Sequence, residues 1–144
     1  MDRSYVERNR AELERLRSVV ARLSLEDMGR ALGHEWTVAA ALAHMAFWDR
    51  YMVATFEEWE RIGEPPARGD FNTLNDAMLA EWLAIPPQHA ARLAVEAAEK
   101  ADQKVAALDP QVLEAVLAAG RSRMLERAPH RREHIEEIER AISK

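Results

Sequence analysis

Apolar residues recur at three-, four- and seven-residue intervals along most of this chain, and this spacing limits the fold more than any other feature of the sequence. In the first segment the positions are Val6, Leu13, Leu16, Val20 and Leu23. A helix with one buried face has this period, whereas a half-buried strand alternates every second residue. The sequence shows neither strand-like alternation nor an internal repeat. The pattern therefore predicts an all-α protein.

Four long helices are predicted, and caps and helix breakers mark their ends. Thr37 is a suitable N-cap for the second helix, and Pro129 is suited to the first turn of the last. The four segments cover residues 3–23, 38–62, 87–108 and 129–143. With 144 residues, of which 48% are hydrophobic, the chain has the size of one domain, residues 1–144, with one core. The expected architecture is a four-helix bundle.

Between the long helices, a short helical turn is expected at 25–32 and two short helices at 73–85 and 110–119. Ser24 with Asp27, and Thr73 with Asp76, form capping-box patterns for the first two. The short helix predicted at 73–85 follows a turn-rich stretch at residues 63–69. The connection between the second and third long helices is therefore predicted to be long.

The composition excludes several classes of function. Cysteine is absent, so any metal must be held by histidine and carboxylate. The net charge is −5 and cationic residues are interleaved with acidic ones, which disfavours nucleic-acid binding. The first residues lack the apolar run of a signal peptide, and no stretch approaches the roughly 20 apolar residues needed to cross a bilayer. A cytoplasmic protein without membrane association is expected.

Three of the five histidines are predicted to face the edge of the core. His130 and His134 are four residues apart, so their imidazoles lie one above the other on one face of the last helix. His44 lies at the margin of the apolar face of the second helix, about two turns from its start. If both helices begin at the same end of the bundle, all three imidazoles lie at one level. His34 and His89 lack such partners and are predicted to be surface residues.

Three imidazoles without cysteine suit Zn²⁺, Ni²⁺ or Fe²⁺ and leave coordination positions open, as catalytic sites do. Neutral ligands leave the double positive charge of the ion uncompensated, so an open position would favour an anion such as hydroxide, thiolate or carboxylate. The alternative is that the histidines only satisfy hydrogen bonds at the core edge.

Several neighbouring residues have two readings. Trp48 belongs to the core pattern and could also form a wall of the pocket one turn from His44. Glu137 could orient an imidazole or pair with a nearby arginine. Arg131 falls near the middle of the apolar face, so either the first turn projects past the core, the favoured reading, or its guanidinium reaches into the pocket. Asp49 is predicted on the polar side of its helix.

The chain also resembles the DinB-like superfamily of metal-dependent bundles, which includes the N-terminal domain of mycothiol-dependent maleylpyruvate isomerase and bacillithiol transferases. The resembling segments are Trp36–His44 with Trp48-Asp49, Leu74–Ala77, and His130–Ile138. The resemblance implies that His44, His130 and His134 are metal ligands and that Asn75 belongs to the pocket. It also implies a low-molecular-weight thiol cofactor, mycothiol or bacillithiol, in some members, and a possible homodimer.

The sequence leaves three functions open. The first is a metal-dependent thiol S-transferase acting on a small-molecule substrate. The second is a non-enzymatic bundle that dimerises or binds a small ligand. The third is a metal-dependent hydrolase that uses the same three histidines but no thiol.

Overall fold

The computed structural model describes residues 2–143, and over this range the chain forms helices and no strand. A short 3₁₀ turn, Ser122–Met124, precedes the last helix. The seven α-helices are α1 (Tyr5–Arg22), α2 (Leu25–Met28), α3 (Val38–Ile62), α4 (Phe71–Ala84), α5 (Pro87–Ala106), α6 (Pro110–Ala118) and α7 (Ala128–Ile142). Among these residues no helix is both long enough and apolar enough to cross a bilayer. The all-α prediction is confirmed.

Two of the predicted helix caps are formed by the expected side chains. Thr37 Oγ1 accepts a hydrogen bond of 3.1 Å from Ala40 N at the start of α3. Ser24 and Asp27 form both bonds of a capping box at the start of α2. Each bond satisfies a backbone N–H group that has no partner inside its own helix. These two caps fix where the chain turns into α2 and into the long α3.

The short α2 ends at Met28, four residues earlier than predicted. The segment that follows pairs instead with the residues leading into α3, because Val38 N donates to Arg30 O at 3.0 Å. Leu32 N also donates to Trp36 O at 3.0 Å. These cross-segment bonds replace helical ones, which sequence periodicity does not reveal.

Helix α4 begins earlier than predicted, and its cap is a different residue. Asp70 Oδ1 accepts from Thr73 N at 3.2 Å, so the helix starts at Phe71. The predicted capping box of Thr73 and Asp76 was wrong, since Thr73 already lies inside the helix. With 14 residues, α4 is also nearly as long as α7, which has 15.

The core lies between α1, α3, α5 and α7, and small side chains control how closely α3 and α5 approach. The buried residues of α5 are mainly alanines: Ala90, Ala91, Ala94, Ala97, Ala98 and Ala101. Facing them, α3 buries a further run of alanines near its start. A second apolar cluster around Phe56 and Trp59 continues the core toward the other end of α3. The close contact holds the start of α3, which carries His44, in a fixed position.

Four charged side chains form an ion-pair network inside the protein: Asp49, Asp102, Arg127 and Arg131. Arg127 Nε donates to Asp49 Oδ1 at 2.8 Å. Arg131 Nη2 donates to Asp102 Oδ1 at 2.8 Å and lies 3.5 Å from Asp49 Oδ2. Asp49 is only 2% exposed, so its predicted position on the polar side of the helix was wrong. Its burial is possible because two guanidinium groups lie beside it, one from the cap residue Arg127 and one from Arg131 in the first turn of α7.

Asn9 of α1 holds the start of α7 in place. Its Oδ1 accepts hydrogen bonds from the backbone N–H groups of Arg127 and Ala128, at 2.8 and 2.9 Å. Its Nδ2 donates to Leu125 O at 2.9 Å. Arg127, the residue at the cap position, makes no capping bond with its own side chain. A residue far away in sequence therefore performs the capping function.

We expect Asn9→Ala to lower the free energy of unfolding by about 2–4 kcal/mol, because it leaves three buried backbone groups without partners. Urea unfolding followed by circular dichroism measures the loss. The exposed Asn72 provides the control, and Asn72→Ala should change stability by less than about 0.5 kcal/mol. Equal stabilities for the two variants would show that Asn9 does not cap α7.

Candidate metal centre

The three histidines come from the first turns of two helices. His44 lies two turns into α3, and His130 and His134 lie in the first two turns of α7. His44 is buried, while the other two are half-buried. The start of each helix is held by a cap, Thr37 for α3 and Asn9 for α7. The two helices run antiparallel, because the start of α3 packs in one apolar cluster with the end of α7, so the expectation that both begin at the same end of the bundle was wrong. The start of α7 lies beside the first half of α3, which brings the imidazoles together.

The ring nitrogens of the three histidines lie close together. His130 Nε2 lies 3.0 Å from His44 Nε2 and 3.2 Å from His134 Nε2. The ligand atoms of the three residues all lie within 4.8 Å of one another. Nitrogens bound to one tetrahedral Zn²⁺ at 2.0–2.1 Å would be separated by about 3.3 Å. The three histidines could therefore hold a metal ion.

Hydrogen bonding between the rings does not account for this geometry. A neutral imidazole nitrogen carries either one hydrogen or one lone pair in the plane of the ring. His130 Nε2 can therefore complete only one of its two close contacts. A cation between the rings would instead accept a lone pair from each nitrogen. The donor set fits a divalent metal better than it fits a chain of hydrogen bonds.

Burial keeps all three imidazoles neutral. Desolvation, with a smaller effect of the nearby His134, lowers the pKa of His44 to about 3. Desolvation lowers the pKa of His130 to about 2, and His134, His44, Arg127 and Arg131 act in the same direction. The pKa of His134 is also lowered by burial, while Glu137 and Glu133 oppose the shift. At neutral pH each ring therefore keeps a lone pair for a cation.

The rings of His134 and His44 are held by different kinds of contact. His134 Nδ1 lies 3.0 Å from Glu137 Oε1, although the pair lacks the alignment of a full hydrogen bond. Carboxylates commonly orient metal-binding histidines in this way. His44 Nδ1 is buried and has no partner among residues 2–143. The ring of His44 is held instead by edge contacts with Trp36 and Trp82, at 4.7 and 4.9 Å between ring centroids.

The three histidines line a cavity of about 730 Å³ that is open on one side. Its aromatic walls are Trp36, Trp48, Tyr51 and Phe71. Trp48 Nε1 donates to Asn75 Oδ1 at 2.8 Å, which joins α3 to α4 beside the cavity. Two of the three sequence-predicted pocket residues, Trp48 and Asn75, therefore line this space. His34 also lines the cavity and is exposed, and His89 is exposed outside the cavity, in agreement with the sequence.

Arg131, the third residue predicted for the pocket, lies elsewhere. Its side chain is 1% exposed and is not among the described residues that line the cavity. It donates to Asp102 and to the backbone oxygens of Asn9 and Ala98, at 3.0 and 3.2 Å. Neither sequence reading of Arg131 was right. The first turn of α7 does not project past the core. The guanidinium is turned inward because the carboxylates of Asp49 and Asp102 lie there.

Two residues that sequence reasoning missed also line the cavity. Arg127, the cap residue of α7, lies three residues before His130 and seven before His134, a spacing that places it on the same side as the two histidines. That spacing was a usable signal. Glu133 lies on the neighbouring turn of the same helix. The cavity wall is therefore more strongly charged than the three histidines alone indicate.

Comparison of the chain with known proteins finds no matching family model, no matching curated protein and no matching solved structure. The DinB-like resemblance accordingly stays a prediction from the sequence motifs. The functional conclusion depends on the geometry of the site itself.

Proposed function

We propose that this protein is a metal-dependent enzyme of the DinB-like type, in which His44, His130 and His134 bind one divalent cation. The observation that supports it is the meeting of three neutral Nε2 atoms at separations of 3.0 and 3.2 Å, which one shared ion accounts for and hydrogen bonds do not. Zn²⁺, Ni²⁺ and Fe²⁺ are the ions that this donor set suits.

A catalytic role is favoured over a structural one by the open side of the site. Structural zinc sites use four protein ligands, whereas catalytic sites use three and leave a position for water or substrate. Here the three histidines stand at the wall of a cavity of about 730 Å³, large enough for a small organic molecule. The aromatic side chains around it would shield a bound substrate from water.

The reaction we propose is transfer of a low-molecular-weight thiol, such as mycothiol or bacillithiol, to an electrophilic substrate. A divalent cation held by His44, His130 and His134 would lower the pKa of a bound thiol by several units. The thiol proton passes to a base, and the sulfur electron pair forms a bond to the electrophilic carbon. The leaving group departs with the electron pair of the bond that breaks. Atoms and charge balance without an oxidant or reductant.

Glu133 is our proposed acceptor of the thiol proton. It lines the cavity one turn after His130 and is exposed to solvent, so its carboxylate is accessible. Glu137, the other carboxylate there, is already engaged with His134 Nδ1. A positioned general base typically contributes a factor of about 10²–10⁴ to the rate.

We expect Glu133→Gln to lower the rate of thiol transfer by about 100-fold while the metal content stays unchanged. The rate of consumption of a chromogenic electrophile at saturating thiol measures the effect, and elemental analysis measures the metal. Glu136→Gln, on a side of α7 outside the cavity, is the control and should keep the wild-type rate. An unchanged rate in Glu133→Gln would assign the proton to another acceptor.

A metal-dependent hydrolase is the alternative that shares the three histidines, and a panel of thiols with electrophiles and of esters distinguishes the two. Turnover that requires thiol supports the transferase, whereas ester cleavage without thiol supports the hydrolase. A non-enzymatic bundle predicts no bound metal and no turnover. Protein purified without an affinity tag should contain about one equivalent of Zn, Ni or Fe under our proposal.

The remaining expectations belong to the same proposal. The four longest helices, α1, α3, α5 and α7, would form the four-helix bundle of the DinB-like type, with α4 in the long connection between α3 and α5. A cytoplasmic location, a homodimer and the lack of nucleic-acid binding stay predictions from the sequence.

A further inference from the structure

Arg127 is a buried cation on the wall of the cavity. Its side chain is 7% exposed, and it lines the cavity together with His130 and His134. A buried guanidinium is costly unless its charge and its N–H groups have partners. Asp49 supplies the charge partner, and its Oδ1 accepts a hydrogen bond of 2.8 Å from Arg127 Nε. The side chain of Arg127 is therefore paired with Asp49 through Nε and also borders the cavity.

Most of the hydrogen-bonding capacity of Arg127 is unused. A guanidinium group has five N–H donors, and four of them are on the two Nη atoms. Within residues 2–143 the Arg127 side chain donates only from Nε. Neither Nη atom is a fully enclosed atom without a partner, unlike Arg131 Nε, and Arg127 is one of the residues that line the cavity. The Nη edge is therefore the part of the side chain available to a ligand. The free edge of a rigidly held guanidinium matches the two oxygens of a carboxylate.

The position of Arg127 is fixed by the surrounding structure. Its backbone N–H is bound by Asn9, and its Nε by Asp49. A donor that is already ordered loses little conformational entropy when a ligand binds. Arg127 also precedes His130 by one turn on the same stripe of α7, so a ligand could contact both.

The charge around the cavity opening has the same sign as Arg127. The charged residues of the wall are Arg68, Arg121, Arg123, Arg127, Glu133 and Glu137. Four are arginines and two are glutamates, although the whole chain has a net charge of −5. The opening is therefore locally basic on an acidic protein, which attracts anions. The aromatic walls add a preference for an apolar body.

We propose that Arg127 is a specificity-determining residue that binds the carboxylate of an anionic substrate with an aromatic or similarly flat apolar body. This inference deepens the proposed function by naming the substrate class, and it rests on that function only in assigning the cavity as the active site. The carboxylate would lie against the Nη edge of Arg127, and the apolar body against Trp48 and Phe71.

Isothermal titration with benzoate and with uncharged benzamide tests the proposal, on chelator-treated protein and on zinc-loaded protein. We expect chelator-treated wild type to bind benzoate at least tenfold more tightly than benzamide. Arg127→Gln should reduce benzoate affinity at least tenfold and leave benzamide affinity unchanged. The control is Arg92→Gln, an exposed arginine outside the cavity, which should bind like wild type.

Arg127→Lys is a second variant for the case in which Arg127→Gln does not fold. It keeps the positive charge beside Asp49 but lacks the planar guanidinium edge. If Arg127→Gln fails to fold by circular dichroism, a loss of at least threefold in benzoate affinity for folded Arg127→Lys supports the proposal, and a smaller loss overturns it. Equal benzoate affinity in wild type and folded Arg127→Gln also overturns it. Benzoate binding that occurs only with zinc would overturn the role of Arg127 while leaving the metal centre supported, so the two failures are distinguishable.

Discussion

His134→Ala is expected to abolish stoichiometric metal binding, from about one equivalent per chain to a trace. Removing the His134 nitrogen leaves only two ligands, His44 and His130. Protein sites that bind catalytic zinc tightly use three, so the metal affinity should fall strongly. Even residues that only orient a ligand change metal affinity by about 10–100-fold, so the loss of a ligand should exceed that. Elemental analysis of tag-free protein after dialysis measures the occupancy.

Thermal unfolding gives an independent measure of the same site. Metal at about 100 times its dissociation constant should raise the unfolding free energy of the wild type by about 2.7 kcal/mol, because it binds the folded state. The variant should show no such increase. His89→Ala is the matched control, since His89 is exposed and lies outside the cavity, and it should keep full occupancy. Full metal content in His134→Ala would contradict the proposed centre.

Arg131→Met should destabilise the protein by about 3–5 kcal/mol, the cost of removing one partner from a buried ion pair. Arg131 is 1% exposed and donates to Asp102 at 2.8 Å. It also satisfies two backbone oxygens, those of Asn9 and Ala98. Methionine fills a similar volume but satisfies none of these groups. Urea unfolding at pH 7 measures the loss.

The pH dependence of this loss identifies the group responsible. Burial raises the pKa of Asp102 even with Arg131 present, and removing the guanidinium should raise it further. The folded variant then holds a proton that the unfolded chain releases, so its stability falls as pH rises. The deficit relative to wild type should therefore be larger at pH 8 than at pH 5.

The neighbouring Arg132 provides the control for Arg131→Met. Its side chain is 47% exposed and pairs with Glu12 at the surface. Arg132→Met should cost less than about 1 kcal/mol, since solvent screens exposed pairs. If both variants lose the same small amount of stability, the ion-pair network around Asp49 does not contribute to the core as described.

Local patterns were sufficient to predict the helices and the three histidines. Thr37 caps α3 as expected, because capping depends on residues three positions apart. His130 and His134 share a face because of their four-residue spacing. The expected common start of the second and last helices was wrong, because the start of α3 shares an apolar cluster with the end of α7 and the two helices run antiparallel. His44 meets the other two rings because the start of α7 lies beside the first half of α3. Of the aromatic side chains that line the pocket, the sequence predicted only Trp48.

The errors have one physical origin. Asp49 was assigned to the polar side of its helix, and Arg131 to the surface or pocket. The angle of a residue around its own helix gives the direction of the side chain but does not identify the charged groups on the facing helices. The structure buries both by pairing them across α3, α5 and α7. Asp70 replaced Thr73 as the cap of α4 for the related reason that two cap patterns overlapped.

Periodicity along one helix is enough to decide which side of that helix a residue occupies, and this is why the all-helical character and the inward direction of three imidazoles could be read directly from the chain. Which groups meet across helices depends on packing between residues far apart in sequence. Asn9 capping α7, Asp102 pairing with Arg131 and Asp49 pairing with Arg127 are all contacts of this kind, and only the folded arrangement creates them.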